Sequence, residues 1–232
     1  FTREFFEGAR ARLAPGGIIC QWAHTYTISE RDLRSIVATF RSVFPGGAAF
    51  MVNDNDVLMV AAAGPIEDRL GALAANWTTR HGAAEDLAEV GALDPFSVLS
   101  LFAAGPAELQ RYAEGGDILD DDRMRLEFSA PRELHNDSAA DNDASFEALL
   151  GADGGPALVR DAKASASAEQ WRMRADMMAR SDAYAMAYDD YVRALKLDPS
   201  SQPTLEGLTR TAVLTSRAQD ALGWVRSLTA EH

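Results

Sequence analysis

Pro15-Gly16-Gly17 runs directly into Ile18-Ile19-Cys20-Gln21-Trp22, and this junction limits the fold more than any other stretch. A Pro-Gly-Gly turn stops the helix before it. A short, nearly continuous apolar run then reads as a strand covered on both faces, as in a parallel sheet flanked by helices. Such a strand needs neighbours, and the preceding residues supply only a helix. Thr2 suits its cap, Glu4 complements its dipole, and Phe5, Phe6, Ala9 and Leu13 recur at helical spacing. The sequence opens on Phe1 without a charged and apolar leader, so the expectation is a piece of a longer protein whose partner strands lie upstream.

Downstream, Ser29 and Asp32 resemble a capping box. Leu33, Ile36, Val37, Phe40 and Phe44 form an apolar stripe that ends at Pro45-Gly46-Gly47. Two strands, 48–52 and 56–62, flank the turn-forming Asn53-Asp54-Asn55-Asp56 and predict a hairpin. Residues 1–63 therefore read helix, strand, helix, strand, strand. From 65 to 114 the spacing of Leu70, Leu73 and Trp77, then Leu87 and Val90, then Phe96, Leu99 and Phe102, predicts short helices broken by Gly and Pro. Leu126-Glu127-Phe128 reads as a short edge strand before Pro131. Residues 135–155, rich in Asp, Ser, Ala and Gly with only Phe146, Leu149 and Leu150 as a sizeable apolar cluster, read as an acidic linker.

The tail, 156–232, is helical in pattern. A shift of 34 residues places Leu205 under Trp171, Ala212 under Met178, Ala221 under Ala187, Val225 under Tyr191 and Leu228 under Ala194. The segment resembles a tetratricopeptide pair, with small residues at Ala175, Ala187 and Ala194 allowing close helix approach. An ordinary four-helix cap remains the alternative.

Charge and composition narrow the function. Thirty-five acidic residues against 22 basic ones give a net charge of −13, which argues against a nucleic-acid surface and against attraction to anionic lipid. The longest apolar run, near Val57 to Ala63, falls well short of the roughly 18 residues of a membrane helix. Cys20 is the single cysteine; it excludes an internal disulfide, fits a reducing, cytoplasmic setting and reads as a small buried hydrophobe. No Gly-rich nucleotide loop and no Ser nucleophile elbow is present. His24, His81, His135 and His232 are scattered without metal-ligand spacing, so no metal site is read, and Asp120-Asp121-Asp122 reads as solvated or helix-capping.

What remains is the loop that leaves the first strand. Gln21, Trp22, His24 and Tyr26 lie beyond a strand's carboxyl end, where open α/β sheets bind ligands. Aromatic faces, an amide and a negative overall field suit an amine or ammonium ligand. Alternatively, Trp22 and Tyr26 only pack the helix that begins near Ser29.

Taken with the helix containing "TFRSVFP", the hairpin ending "DVLMVAA" and the later "DDDRMRLEFSAPR", the opening "FTREFFEGARARLAPGGIICQW" resembles the C-terminal half of spermidine synthase-like proteins, especially bacterial ones fused to membrane spans. The resemblance covers residues 1–134. It implies an α/β fold: the C-terminal part of a Rossmann-like methyltransferase sheet, followed by short helices and the tetratricopeptide-like tail. The domains expected are 1–134, the linker 135–155 and the helical domain 156–232. It also implies that the donor loop, the ribose carboxylate and the catalytic aspartate precede this chain. Accordingly, no catalytic residue and no cofactor is assigned here, and an S-adenosyl-type donor and a small amine acceptor are implied for the parent. Gln21 matches a glutamine near the polyamine side of the pocket, whereas Trp22 and His24 depart from the small and acidic residues usual there. The rival expectation is a non-catalytic module that binds a protein partner through 156–232.

Overall fold

The computed structural model describes all residues except 80–81, 124, 134–141, 143–144, 146–147, 150–154 and 231–232; side chains of 130–133 and 227–230 are also outside the description. The chain forms two units. The first comprises 1–74 and 101–160, the second 75–100 and 161–232. The expected linker falls largely outside the described residues, as do His81, His135, His232, Phe146 and Leu150.

The first unit is mixed α/β. Its elements begin with α1 (Arg3–Arg12), β1 (Ile18–His24), α2 (Glu30–Val43), β2 (Ala48–Asn53), β3 (Asp56–Ala62) and α3 (Glu67–Asn76), the last running just past the unit's edge. After the excursion into the second unit come β4 (Phe102–Ala104), α6 (Pro106–Tyr112) and α7 (Arg125–Glu133). The strands form one sheet in the order β1-β3-β2-β4, and every pairing is antiparallel. Sheet residues Ala23, Met51, Val57, Met59 and Ala61 bury one face against Phe6, Leu33, Ile36, Val37, Phe40 and Leu109 of α1, α2 and α6. Three rings fix that layer: Phe6 stands edge-on to Phe40 at 5.5 Å and to Phe44 at 6.4 Å. Gly47 is required at this point, because a Cβ there would come within 2.6 Å of the Phe40 ring.

Helix α2 starts as its sequence predicts, with the Asp32 N–H bonded to Ser29 Oγ at 3.1 Å. Its inner face also carries hydroxyls. Ser35 accepts from the Asp117 N–H at 3.1 Å and Thr39 from the Leu119 N–H at 2.9 Å, which pins the segment after α6 along the helix.

Five expectations need correction. Strand β1 is not covered on both faces of a parallel sheet: it is an edge strand paired antiparallel to β3, and its exposure alternates. Ile19, Gln21 and Ala23 turn toward the helices, while Ile18 and Trp22 remain about half exposed. Cys20 shares that outer face and is exposed, not buried. The apolar run concealed a period of two, because Cys20 and Trp22 count as apolar whichever way they point. Residues 126–128 belong to helix α7, where Leu126 packs on the core and Phe128 is exposed. Phe102 lies in β4 opposite Phe50, ring to ring at 5.4 Å, and not on a helical stripe with Phe96. On α1 only Phe6 is buried, while Phe5 is half exposed.

The second unit is helical: α4 (Ala83–Glu89) and α5 (Pro95–Leu99) join the end of α8 (Ala157–Ser165), then α9 (Ala168–Arg180), α10 (Tyr184–Leu197), α11 (Gln202–Leu214) and α12 (Ala218–Ala230). Phe96 of α5 meets the Trp171 indole edge-on at 4.9 Å, and Asp94 both caps α5 and accepts from Gln170 Nε2 at 2.7 Å. Two turns in the unit match. Asp182 and Ser216 both take the left-handed conformation, at φ 61° and 59°. In each turn the next residue's N–H closes onto a carbonyl five positions back: Ala183 to Met178 at 3.0 Å, Arg217 to Ala212 at 2.8 Å. Among the described residues, no helix is long and apolar enough to cross a membrane.

Candidate functional site

The carboxyl end of β1 gathers most of the chemistry of the first unit. Trp22 and His24 share a face by strand parity and Tyr26 extends the run, with ring centroids 5.4 Å and 4.7 Å apart in succession. Asp56 faces His24 across the ladder. Its carboxylate takes the Trp22 indole N–H at 2.8 Å and the Asn53 amide at 2.7 Å. Gln21 lies on the opposite parity, and its Nε2 donates to the Trp22 carbonyl at 2.8 Å. Three of the four candidates therefore form one array, and Gln21 stands apart from it.

The loop beyond β1 is held from several directions. The Thr25 N–H bonds the Asn55 carbonyl at 2.8 Å, and the Asn142 amide donates to the carbonyls of Thr25 and Ile28 at 2.7 and 3.0 Å. Within this clamp Thr27 adopts φ 50°, a left-handed conformation that costs a non-glycine residue about 1 kcal/mol or more. The ring array is thus presented from a fixed backbone.

Beside the array is a cavity of about 230 Å³, lined by Ala23, Ile28, Ile36, Leu126 and Phe1, with His24 and Glu127 as its polar groups. A second cavity, of about 240 Å³, shares Phe1, Leu126 and Glu127 and reaches Asp120, Arg123 and Arg125. Arg125, in its wall, pairs with Asp117, which also binds Arg31 at 3.2 Å. Hydrogen bonds from these two guanidiniums hold the Asp117 carboxyl below the usual carboxylate range. Glu127 is the acidic side chain that lines the first cavity together with His24.

Sequence reasoning missed Asp56, Glu127 and Asn142. The pairing register would have placed Asp56 opposite His24; Glu127 and Asn142 are more than a hundred residues from β1, and nothing local marks them. Among the described residues, no group of His, Cys, Asp and Glu could hold a metal ion. Comparison with protein-family models, with curated proteins and with solved structures gives no match to this chain.

Proposed function

We propose that the chain is the closing part of a spermidine synthase-like transferase and that the end of β1 shapes its amine-acceptor side. One observation carries the reading: a small, mostly apolar cavity bears His24 and the Glu127 carboxylate beside the Trp22–His24–Tyr26 run and Asp56. Apolar walls suit a methylene chain, and carboxylates with aromatic faces suit its ammonium end. The reading rests on His24 and Glu127 more than on Gln21, whose amide already bonds the Trp22 carbonyl. Sheet topology supports it too. Strands β1 and β2 run the same way, are connected through α2 and have β3 between them, antiparallel to both, which is compatible with the expected hairpin of 48–52 and 56–62.

The described residues do not fit an S-adenosyl donor. No Gly-rich turn leads from a strand into a helix with a ribose carboxylate beyond it, and the Gly105 N–H ahead of α6 is taken by Glu108 at 3.0 Å. Donor binding and the general base are therefore assigned to the parent, and no step through the donor is derived. A reducing, cytoplasmic setting belongs to the same proposal.

The helical unit fits a tetratricopeptide-like pair. Helix α11 begins 34 positions after α9, α12 begins 34 positions after α10, and the left-handed turn residues Asp182 and Ser216 keep that spacing. A second reading, a module that grips a protein segment, is favoured by the apolar groove of about 730 Å³ along α11, where Val213 and Leu214 are exposed between Glu206, Arg210 and Val225.

Titration of linear diamines into the chain, followed by NMR of the Trp22 indole and the His24 ring, tests the first reading. Saturable shifts at both residues, weakened several-fold in Glu127→Gln, are expected, and S-adenosylmethionine should leave both signals in place. Absence of saturable shifts, or shifts indifferent to Glu127→Gln, would overturn it.

A further inference from the structure

The helical unit covers one of its own faces and leaves the corresponding face, one 34-residue step later, exposed. In the first helix pair, Arg172 and Asp176 of α9 are joined at 2.5 Å, and Asp176 also takes the Tyr191 hydroxyl of α10 at 2.5 Å. Helix α11 packs on that surface, with its Gly207 so close to the Tyr191 ring that a Cβ would come within 2.3 Å. A shift of 34 positions replaces Arg172, Asp176 and Tyr191 by Glu206, Arg210 and Val225. These three line the groove of about 730 Å³ together with Leu205, Thr209 and Val213. The first face receives a helix. Its counterpart is built from the same positions, and its Glu206, Thr209, Arg210 and Val213 are exposed.

Two features of this face select what fits it. Val213 is 68% exposed and Leu214 54%, which favours an apolar partner surface. Glu206 and Arg210 have the one-turn spacing of the Arg172–Asp176 pair, yet no ion pair joins them among the described residues, and Glu206 accepts instead from the Gln202 amide at 3.2 Å. One positive and one negative charge therefore stand open on a single helix stripe. A partner of one sign would satisfy one of them and oppose the other. The same stripe, turned end for end, satisfies both.

We propose that this face of α11 docks against the same face of a second copy of the chain, about a two-fold axis near Thr209. Antiparallel crossing there sets Leu205 of each copy against Val213 of the other, since the two lie four residues to either side of Thr209. It also brings Glu206 of each copy to Arg210 of the other, so the symmetry forms the ion pair twice. Thr209 is short enough on the axis to let the two helices approach. The inference rests on the reading of this groove as a docking face and names its occupant; it does not depend on the amine reading of the first unit.

Sedimentation equilibrium of the whole chain over a range of concentrations tests it, in about 0.15 M salt, where repulsion between the acidic copies is screened beyond roughly 8 Å. A reversible rise from the monomer mass of 25.1 kDa toward twice that value is expected. Glu206→Arg and Arg210→Glu, each of which sets like charges against each other, should weaken association by about tenfold or more. The double variant Glu206→Arg with Arg210→Glu should restore it to within about threefold of the original. A dimer indifferent to the single variants, or one that the double variant fails to restore, overturns the α11 face. A monomer at every concentration overturns the second copy as occupant. Titration of a stapled helical peptide of residues 201–215 into that monomer then judges the docking reading separately: saturable binding that Val213→Asp weakens keeps the docking face without the second copy, and no binding overturns both.

Discussion

The indole of Trp22 and the carboxylate of Asp56 are joined at 2.8 Å, diagonally across the β1–β3 ladder, so the aromatic run is tied to the hairpin turn that starts β3. The other Asp56 oxygen takes the Asn53 amide at 2.7 Å. Asp56→Ala removes both bonds. With one partner exposed, the expected loss is about 1 kcal/mol in urea unfolding followed by tryptophan fluorescence. Asp56→Asn, which keeps an acceptor for the indole, should lose less.

Gly207 on α11 should not tolerate a side chain. A Cβ there would lie 2.3 Å from the Tyr191 ring, and that ring is held by its hydroxyl donating to Asp176 at 2.5 Å. Gly207→Ala ordinarily favours a helix, yet here overpacking should dominate and cost about 1–3 kcal/mol. Thermal unfolding compared with Gly223→Ala, where a Cβ meets nothing within 4 Å, separates the two effects.

Lys163, on α8, gives a pH signature. Burial lowers its folded-state value to about 8, below the ordinary 10.5, so between these values the unfolded chain holds more protons and stability rises with pH. Below about 8 both states are protonated and the contribution is constant and unfavourable. Lys163→Met should raise stability at pH 7 by about 1–2 kcal/mol and flatten the rise between pH 8 and 10.5, measured by urea unfolding at each pH.

Asp190→Ala would leave Arg174 buried without its counter-charge. A loss of about 3–5 kcal/mol is expected, read as a lower unfolding midpoint of the helical unit. Arg174→Met together with Asp190→Leu should recover much of it, since the cost of Asp190→Ala comes from the stranded charge.

Legibility in the sequence followed the range of the interactions. Helix α2 could be read because Ser29, Asp32 and the apolar stripe are neighbours, and the β2–β3 hairpin because its turn is four consecutive residues. Leu126-Glu127-Phe128 was too short to separate a period of two from 3.6, and β4, with only three residues, has no period at all. Burial of β1 was misjudged because which faces and edges of a strand are covered is decided by other elements. The same limit applies to the site: Trp22, His24 and Tyr26 follow from parity along one strand, whereas Asp56 needs the register and Glu127 and Asn142 need the tertiary fold.

The second unit is split in sequence, with Asp94 and Phe96 in its early piece and Gln170 and Trp171 in its late one. During synthesis the early piece leaves the ribosome first, and the 60 residues of 101–160 must follow before its partners start to appear. At about 5–20 residues per second this wait lasts roughly 3–12 s, longer than a small helical bundle needs to fold. Phe96 spends those seconds as unburied hydrophobic surface in a nascent chain, a stretch that a chaperone can hold until its partners emerge.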